Sequence, residues 1–108
     1  MSRLESEFQM QFIEALRSVL PYCEVIKVES GMIQGFPDRI ILYKQHWLAL
    51  EFKKSTRAHR QPNQEHYIHK FNQWSFARFV SPENAEEVLH EIQRTFGPGR
   101  SPRISVRL

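Results

Sequence analysis

The sequence predicts an α/β domain with a mixed central sheet and elements in the order α-β-β-β-α-β-α. Apolar residues recur at helical spacing over residues 3–20 and again toward the end of the chain. Between them, two short apolar runs, Gly35–Tyr43 and Trp47–Lys53, flank the polar turn Lys44-Gln45-His46. That arrangement is typical of a β-hairpin and supplies two of the strands.

The first helix is predicted over residues 3–20, and Pro21 ends it. Ser2 and Glu5 have the spacing of a capping box. Glu5 also falls inside the apolar stripe of the helix, so it could instead reach the sheet, whereas Glu7 falls on the outer face; both roles for Glu5 stay open. The stripe consists of Leu4, Phe8, Phe12, Ala15, Leu16 and Val19.

The middle of the chain alternates strand, loop and helix signals. Pro62 suits the first turn of a helix, and the polar, basic residues before it indicate an exposed loop. The predicted elements are a strand at 23–29, a loop at 30–36, the hairpin, a loop at 53–63, a helix at 62–73 and a strand at 75–80.

A last helix is predicted to begin at Ser81-Pro82-Glu83, which offers an N-cap, a proline at the first position and an acid in the first turn. Gly97 ends it. We expect one domain over residues 1–97 and a basic C-terminal tail over residues 98–108. In the tail, Ile104, Val106 and Leu108 alternate with polar residues as in an edge strand.

Composition narrows the class of protein. Of 108 residues, 41% are apolar and 25% are charged, as in an ordinary globular domain. No apolar run approaches the length of a membrane span, and there is no signal-peptide pattern, so no membrane partner is expected. Cys23 is the single cysteine, which excludes a disulfide framework and predicts a buried side chain in a cytoplasmic protein.

Charge is distributed unevenly along the chain. Residues 1–52 carry five Lys or Arg against seven Asp or Glu, whereas residues 53–108 carry ten against five. A basic half of this kind suits a polyanionic partner. A solvated basic surface without a partner is the alternative.

One end of the hairpin combines acids with a lysine. If the two runs pair antiparallel, Asp38 lies close to Glu51, and Glu51 and Lys53 point to the same face. Carboxylates suit Mg²⁺, and a metal beside a lysine would polarise a phosphate and activate water. The alternative is that Asp38 caps a turn and Glu51–Lys53 is a surface ion pair. The combination favours a site, because Gly35 and Pro37 are placed to fix the turn that presents Asp38.

These motifs resemble those of a known nuclease family. The chain contains Glu5-Ser6-Glu7-Phe8-Gln9, then Gly35-Phe36-Pro37-Asp38-Arg39-Ile40, then Glu51-Phe52-Lys53, then Gln64. In this order and spacing they are similar to the PD-(D/E)XK nuclease superfamily and, more narrowly, to its VRR-NUC family, over about residues 4–95. Arg39 departs from the pattern, since an apolar residue is more usual there. The resemblance implies a restriction-endonuclease-like core.

The resemblance also implies a chemistry. Glu5, Asp38 and Glu51 would bind Mg²⁺ or Mn²⁺ together with the backbone carbonyl of Phe52. Lys53 would position or activate the attacking water, and Gln64 would support the site or the phosphate. The implied reaction is phosphodiester hydrolysis in DNA. Stand-alone members of this size look like homodimeric, structure-selective nucleases of four-way junctions, often phage-encoded and therefore acting in the host cytoplasm.

Basic side chains are expected to hold the DNA backbone without reading sequence. No phosphate-cradling glycine loop is visible, so no nucleotide cofactor is expected. His66 and His69 lie three residues apart on one helix, but phosphate or base contact is favoured over zinc, because no third ligand has suitable spacing. The expected DNA-binding residues are Lys54, Arg57, Arg60, Lys70 and His66.

Two other functions remain open. One is a DNA- or protein-binding module that kept the scaffold without catalysis, against which the acid pair and Lys53 argue. The other is a basic nucleic-acid-binding accessory protein whose acids are incidental. Metal titration discriminates, because only the nuclease must bind Mn²⁺ at Asp38 and Glu51.

Overall fold

A computed structural model describes residues 3–29 and 31–98. The order of its elements is the predicted one, and the α/β class is confirmed. The predicted cap residue Ser2 and the tail strand at 103–108 lie outside the described residues. The elements are α1 (Arg3–Val19), β1 (Glu24–Lys27), β2 (Arg39–Tyr43), β3 (His46–Phe52), α2 (Pro62–Trp74), β4 (Phe76–Val80) and α3 (Ala85–Phe96).

The four strands form one mixed sheet in the order β1-β2-β3-β4. Strand β2 is antiparallel to both β1 and β3, and β4 runs parallel to β3. The predicted hairpin is confirmed as the β2–β3 pair. Its turn is shorter than predicted, because His46 already pairs with Tyr43 and only Lys44 and Gln45 connect the strands. Lys44 adopts a positive φ of 56°, which lets the two strands be joined so tightly.

Helices cover both faces of the sheet. Alternate residues of β3 point to opposite faces of the sheet. Leu48 and Leu50 belong to the large core with α1 and α3, whereas Ala49 packs with Ile68 and Phe71 of α2. The small Ala49 leaves room for α2. Glu51 is the next residue on the Ala49 face, so the strand's alternation carries it toward α2.

The start of α3 differs from the prediction. The helix begins at Ala85, because residues 81–84 form a turn in which the N–H of Asn84 donates to the carbonyl of Ser81 at 3.2 Å. The Asn84 side chain accepts the N–H of Ser81 at 2.8 Å and donates to the carbonyl of Phe79 at 2.9 Å. Residues 81–84 thus connect the end of β4 to α3 as a hydrogen-bonded turn and are not part of the helix.

The outer edge of β4 is bonded to side chains. The N–H of Ala77 donates to Asn72 Oδ1 at 3.2 Å, and the carbonyl of Ala77 accepts from Arg78 Nη1 at 2.8 Å. Asn84 occupies the carbonyl of Phe79, as above. We call this the closed edge; β1 forms the opposite edge of the sheet.

Cys23 is a free thiol only 5% exposed, which confirms the predicted burial. No helix in the described part of the chain is long and apolar enough to cross a membrane.

Gly35 sets the contact between the loop before β2 and the first turn of α2. It has a φ of +83°, and an added Cβ would lie 2.7 Å from the carbonyl carbon of Asn63 and 2.9 Å from the nitrogen of Gln64. Both atoms are backbone atoms and cannot rotate away. Pro37, two residues later, is fully buried. The glycine therefore allows α2 to begin directly beside Asp38.

We predict that Gly35→Ala lowers the free energy of unfolding by more than Gly31→Ala. Both residues have positive φ, +83° and +92°, but an added Cβ at Gly31 meets nothing within 4 Å. Gly31→Ala should cost about 1–2 kcal/mol of backbone strain, and Gly35→Ala should add the clash with α2. Urea denaturation measures both losses. Equal losses would show that the close approach to α2 has no energetic weight.

Candidate active site

The hairpin register brings the two predicted acids together. Arg39 pairs with Leu50, so the next pair outward is Asp38 with Glu51. Together with Gln64, both acids line a cavity of about 360 Å³. The prediction that Asp38 lies close to Glu51 is thus confirmed. It followed from the antiparallel register and the period of two along a strand.

Both carboxyl groups are withdrawn from water. Glu51 is only 8% exposed. Asp38 Oδ1 is buried and has no hydrogen-bond partner among the described residues. An unsatisfied buried acceptor costs about 1–3 kcal/mol, so it is unusual in a group with a merely structural role. The alternative of a solvated surface ion pair does not fit this burial.

Gln64 connects the lysine to the acid. Its Nε2 donates to Glu51 Oε2 at 3.2 Å, and its Oε1 accepts from Lys53 Nζ at 2.7 Å. The same Oε1 accepts the N–H of Gln61 at 2.9 Å, which satisfies one free donor at the start of α2. Lys53 Nζ also donates to the carbonyl of His59 at 3.1 Å. One amide thus fixes the positions of the Glu51 carboxyl group, the Lys53 ammonium group and the first turn of α2.

Burial raises the pKa of both acids. The pKa of Asp38 rises to about 6, chiefly through desolvation, against the opposing effects of the Arg39 charge and of hydrogen bonding to the backbone of Phe52. The pKa of Glu51 rises to about 7, through desolvation and then through the negative charge of Asp38, with Lys53 opposing. Two carboxylates this close hinder each other's ionisation unless a cation joins them.

The donor set fits a hard divalent ion. Mg²⁺ binds one or two carboxylates and keeps several waters, and Asp38 Oδ1 offers a buried oxygen without a partner among the described residues. In residues 3–29 and 31–98, no group of three or more His, Cys, Asp or Glu side chains could hold a metal ion. Asp38 and Glu51 are the residues that would hold such an ion.

Glu5 and Phe52 lie on the other face of the sheet. The Phe52 ring packs against Phe12, with ring centroids 5.4 Å apart. Glu5 is half-buried and lines a second cavity, of about 350 Å³, which also contains Lys53 and Lys54. The structure therefore does not bring Glu5 into the cavity of the acid pair. Metal binding by Glu5 and by the Phe52 carbonyl stays a prediction.

The predicted DNA-binding side chains are distributed around α2 and the loop before it. Lys54, Arg57 and His66 are exposed. The Arg60 guanidinium lies 3.9 Å from the centroid of the Phe79 ring, and Lys70 Nζ lies 4.9 Å from the centroid of the Trp74 ring. Contact of these groups with DNA stays a prediction.

Two contributors were not identified from the sequence. Arg39 donates to the carbonyl of Asp38 at 3.0 Å and to Gln9 Oε1 at 3.1 Å, so it braces the strand end from the α1 side. Its position beside Asp38 was noticed only as a departure from the family pattern. The carbonyl of His59, which holds Lys53, gives no sequence signal at all, because every residue carries one.

Comparisons with protein-family models, with curated proteins and with solved structures found no match for this chain.

We predict that the metal-free protein loses stability as pH rises from about 4 to about 7. Both carboxyls have raised pKa values in the folded state, from 3.8 to about 6 and from 4.5 to about 7, so the folded protein binds protons more tightly than the unfolded chain. This contribution to the free energy of unfolding is fully present below the pKa values of the unfolded chain. It is lost as pH rises through the pKa values of the folded state, on the order of 2 kcal/mol for each carboxyl.

Chemical denaturation across this pH range, in the presence of a chelator, measures the effect. Asp38→Asn and Glu51→Gln should each flatten the pH dependence, because the removed group no longer titrates. Glu87→Gln, at an exposed acid of α3, serves as the control and should keep the wild-type slope. A pH dependence that is identical in all four proteins would contradict the raised pKa values.

We also predict that Gln64→Glu raises the pKa of Glu51. A glutamate at this position can still accept from Lys53 and from the N–H of Gln61, but it replaces the donor to Glu51 with a negative charge. Carboxyl-detected NMR titration should show the Glu51 midpoint above its wild-type value. Gln73→Glu, at an exposed position on the same helix, should leave the midpoint unchanged. If both variants titrate alike, the amide does not act on Glu51.

Proposed function

We propose that this protein is a Mg²⁺- or Mn²⁺-dependent DNA endonuclease. The observation that carries the proposal is the buried pair of Asp38 and Glu51, with one carboxylate oxygen lacking a partner among the described residues and a lysine fixed beside it through Gln64. Such a pair is costly for folding and becomes favourable when a cation binds. An endonuclease uses that arrangement directly.

Each residue has a distinct part in the proposal. A divalent ion held by Asp38 and Glu51 would act as a Lewis acid on a phosphate and would favour ionisation of water. Lys53 donates hydrogen bonds and carries positive charge where a phosphate oxygen or a water must be oriented. Gln64 fixes the lysine and the acid relative to each other, so less of their freedom is lost when substrate binds.

The fold supports the same proposal. A hairpin that ends in the acid pair, a parallel fourth strand and a helix between them are what we propose as a restriction-endonuclease-like core. The basic loop 53–61 lies next to the pair along the chain and would hold the sugar–phosphate backbone. Backbone contacts of this kind do not specify sequence, so branched or otherwise distorted DNA is the proposed substrate, cut by a two-fold dimer that supplies two sites.

The test is cleavage of labelled DNA as continuous duplex, flap and four-way junction, with Mg²⁺, with Mn²⁺ and with chelator. We expect metal-dependent cutting that is faster on the branched forms. Asp38→Asn and Glu51→Gln should reduce the rate at least a hundredfold, because each removes a charged metal ligand, while binding to DNA in chelator is retained. Glu87→Gln should cut at the wild-type rate.

Calorimetry with Mn²⁺ separates catalysis from binding alone. A nuclease of this type should bind the ion, and the binding should be lost in Asp38→Asn and Glu51→Gln. Full cleavage by either variant would refute the mechanism. DNA binding without metal binding or cleavage would instead identify a non-catalytic module.

A further inference from the structure

The loop before β2 exposes two large apolar side chains. Met32 is 75% exposed and Ile33 is 51% exposed. They follow Gly31 and precede Gly35, which both have positive φ, +92° and +83°. Together these two neighbouring side chains form a small hydrophobic surface that the described residues leave uncovered.

The base of this loop is held in place. The N–H of Phe36 donates to the carbonyl of Ile33 at 3.1 Å, and Asn63 Nδ2 donates to the carbonyl of Gln34 at 3.4 Å. Gly35 is in close contact with the first turn of α2. The backbone that carries the two apolar side chains is thus tied to the same helix end that carries Gln64.

One of the two apolar side chains lies beside the acid pair, and the other is its neighbour in the chain. Ile33 lines the same cavity as Asp38, Glu51 and Gln64. A phosphate held at the acid pair would therefore place its neighbouring nucleotides against the loop. The occupant is argued from this proximity and from size. A protein interface buries about 800 Å² on each partner, far more than two side chains supply, whereas one or two apolar side chains are enough to separate adjacent base pairs.

We propose that Met32 and Ile33 form an apolar wedge that enters the base stack next to the scissile phosphate and selects DNA whose stacking is already interrupted. The proposal rests on the endonuclease function above and names the two residues that would recognise a branch, gap or mismatch in its DNA. In a continuous duplex the wedge must first separate stacked bases. At an interruption the bases are already unstacked, so binding there does not require the free energy of separating them and is favoured.

The test measures unstacking directly and needs no cleavage. Wild-type protein, with Ca²⁺ in place of Mg²⁺ so that a cation can still join the acid pair to a phosphate, is mixed with four-way junctions and with continuous duplexes that carry 2-aminopurine at successive positions. This base becomes more fluorescent when it loses its stacked neighbours. We expect a rise at one or two positions next to the branch. Met32→Ser with Ile33→Ser should abolish the rise and lower the preference for junction over duplex about tenfold.

Met10→Ser is the matched control, because Met10 is also an exposed methionine, 64% accessible, but lies on α1. It should behave as wild type. Thermal unfolding of each variant confirms that it is folded. No fluorescence rise with wild type, or the same rise in the double variant, would overturn the wedge. A double variant whose oligomeric state changes while its fluorescence response is unchanged would identify a protein contact instead.

Cleavage assays in Mg²⁺, run on the same samples, separate the two proposals. If wild type and the double variant both cut and prefer junctions equally, the wedge is wrong and the endonuclease stands. If wild type neither binds nor cuts any of these DNAs, both proposals are wrong.

Discussion

The hydrogen bonds of the Gln64 side chain are the interaction on which the site depends. A buried glutamate on a central strand is costly unless a donor meets it, and here the donor comes from the first turn of α2. That turn can reach Glu51 because Gly35 lacks a Cβ and because Ala49 and Ala77 let the helix lie close to the sheet. The same amide accepts from Lys53, so the position of the ammonium group is set by helix packing.

This arrangement places folding and function in opposition. Near neutral pH, ionising both carboxyls in a partly dehydrated space costs stability, and the protein tolerates that cost at one end of its sheet. Among the residues that the structure describes, the large core between the sheet, α1 and α3 contains sixteen buried hydrophobic residues. Its burial supplies the stability that lets a poorly solvated acid pair persist.

How far the sequence predicts this structure depends on the range of each interaction. The proximity of Asp38 and Glu51 could be predicted, because alternation along a strand and an antiparallel turn together determine it. The start of α3 could not, since Ser81 and Pro82 carry a strong local signal that the bonds from Asn84 to the end of β4 override. A supporting role for Gln64 was predicted, but its bridge between Glu51 and Lys53 and the bond from Lys53 to the His59 carbonyl were not, because they depend on how α2 packs. The placement of Glu5 in a separate cavity has the same cause: a helical wheel gives a face of the helix but no distance to the sheet.

The two edges of the sheet are not equivalent, and this limits how copies of the protein can associate. Side chains already occupy backbone groups of β4 at its closed edge, so an incoming strand would have to displace them. A strand added at β1 meets no such barrier from that set of bonds. If two copies joined through β1, the continuous sheet would end in a closed edge on both sides, and growth would stop at two. The asparagines and the arginine around β4 would thus confine strand pairing between copies to the β1 edge.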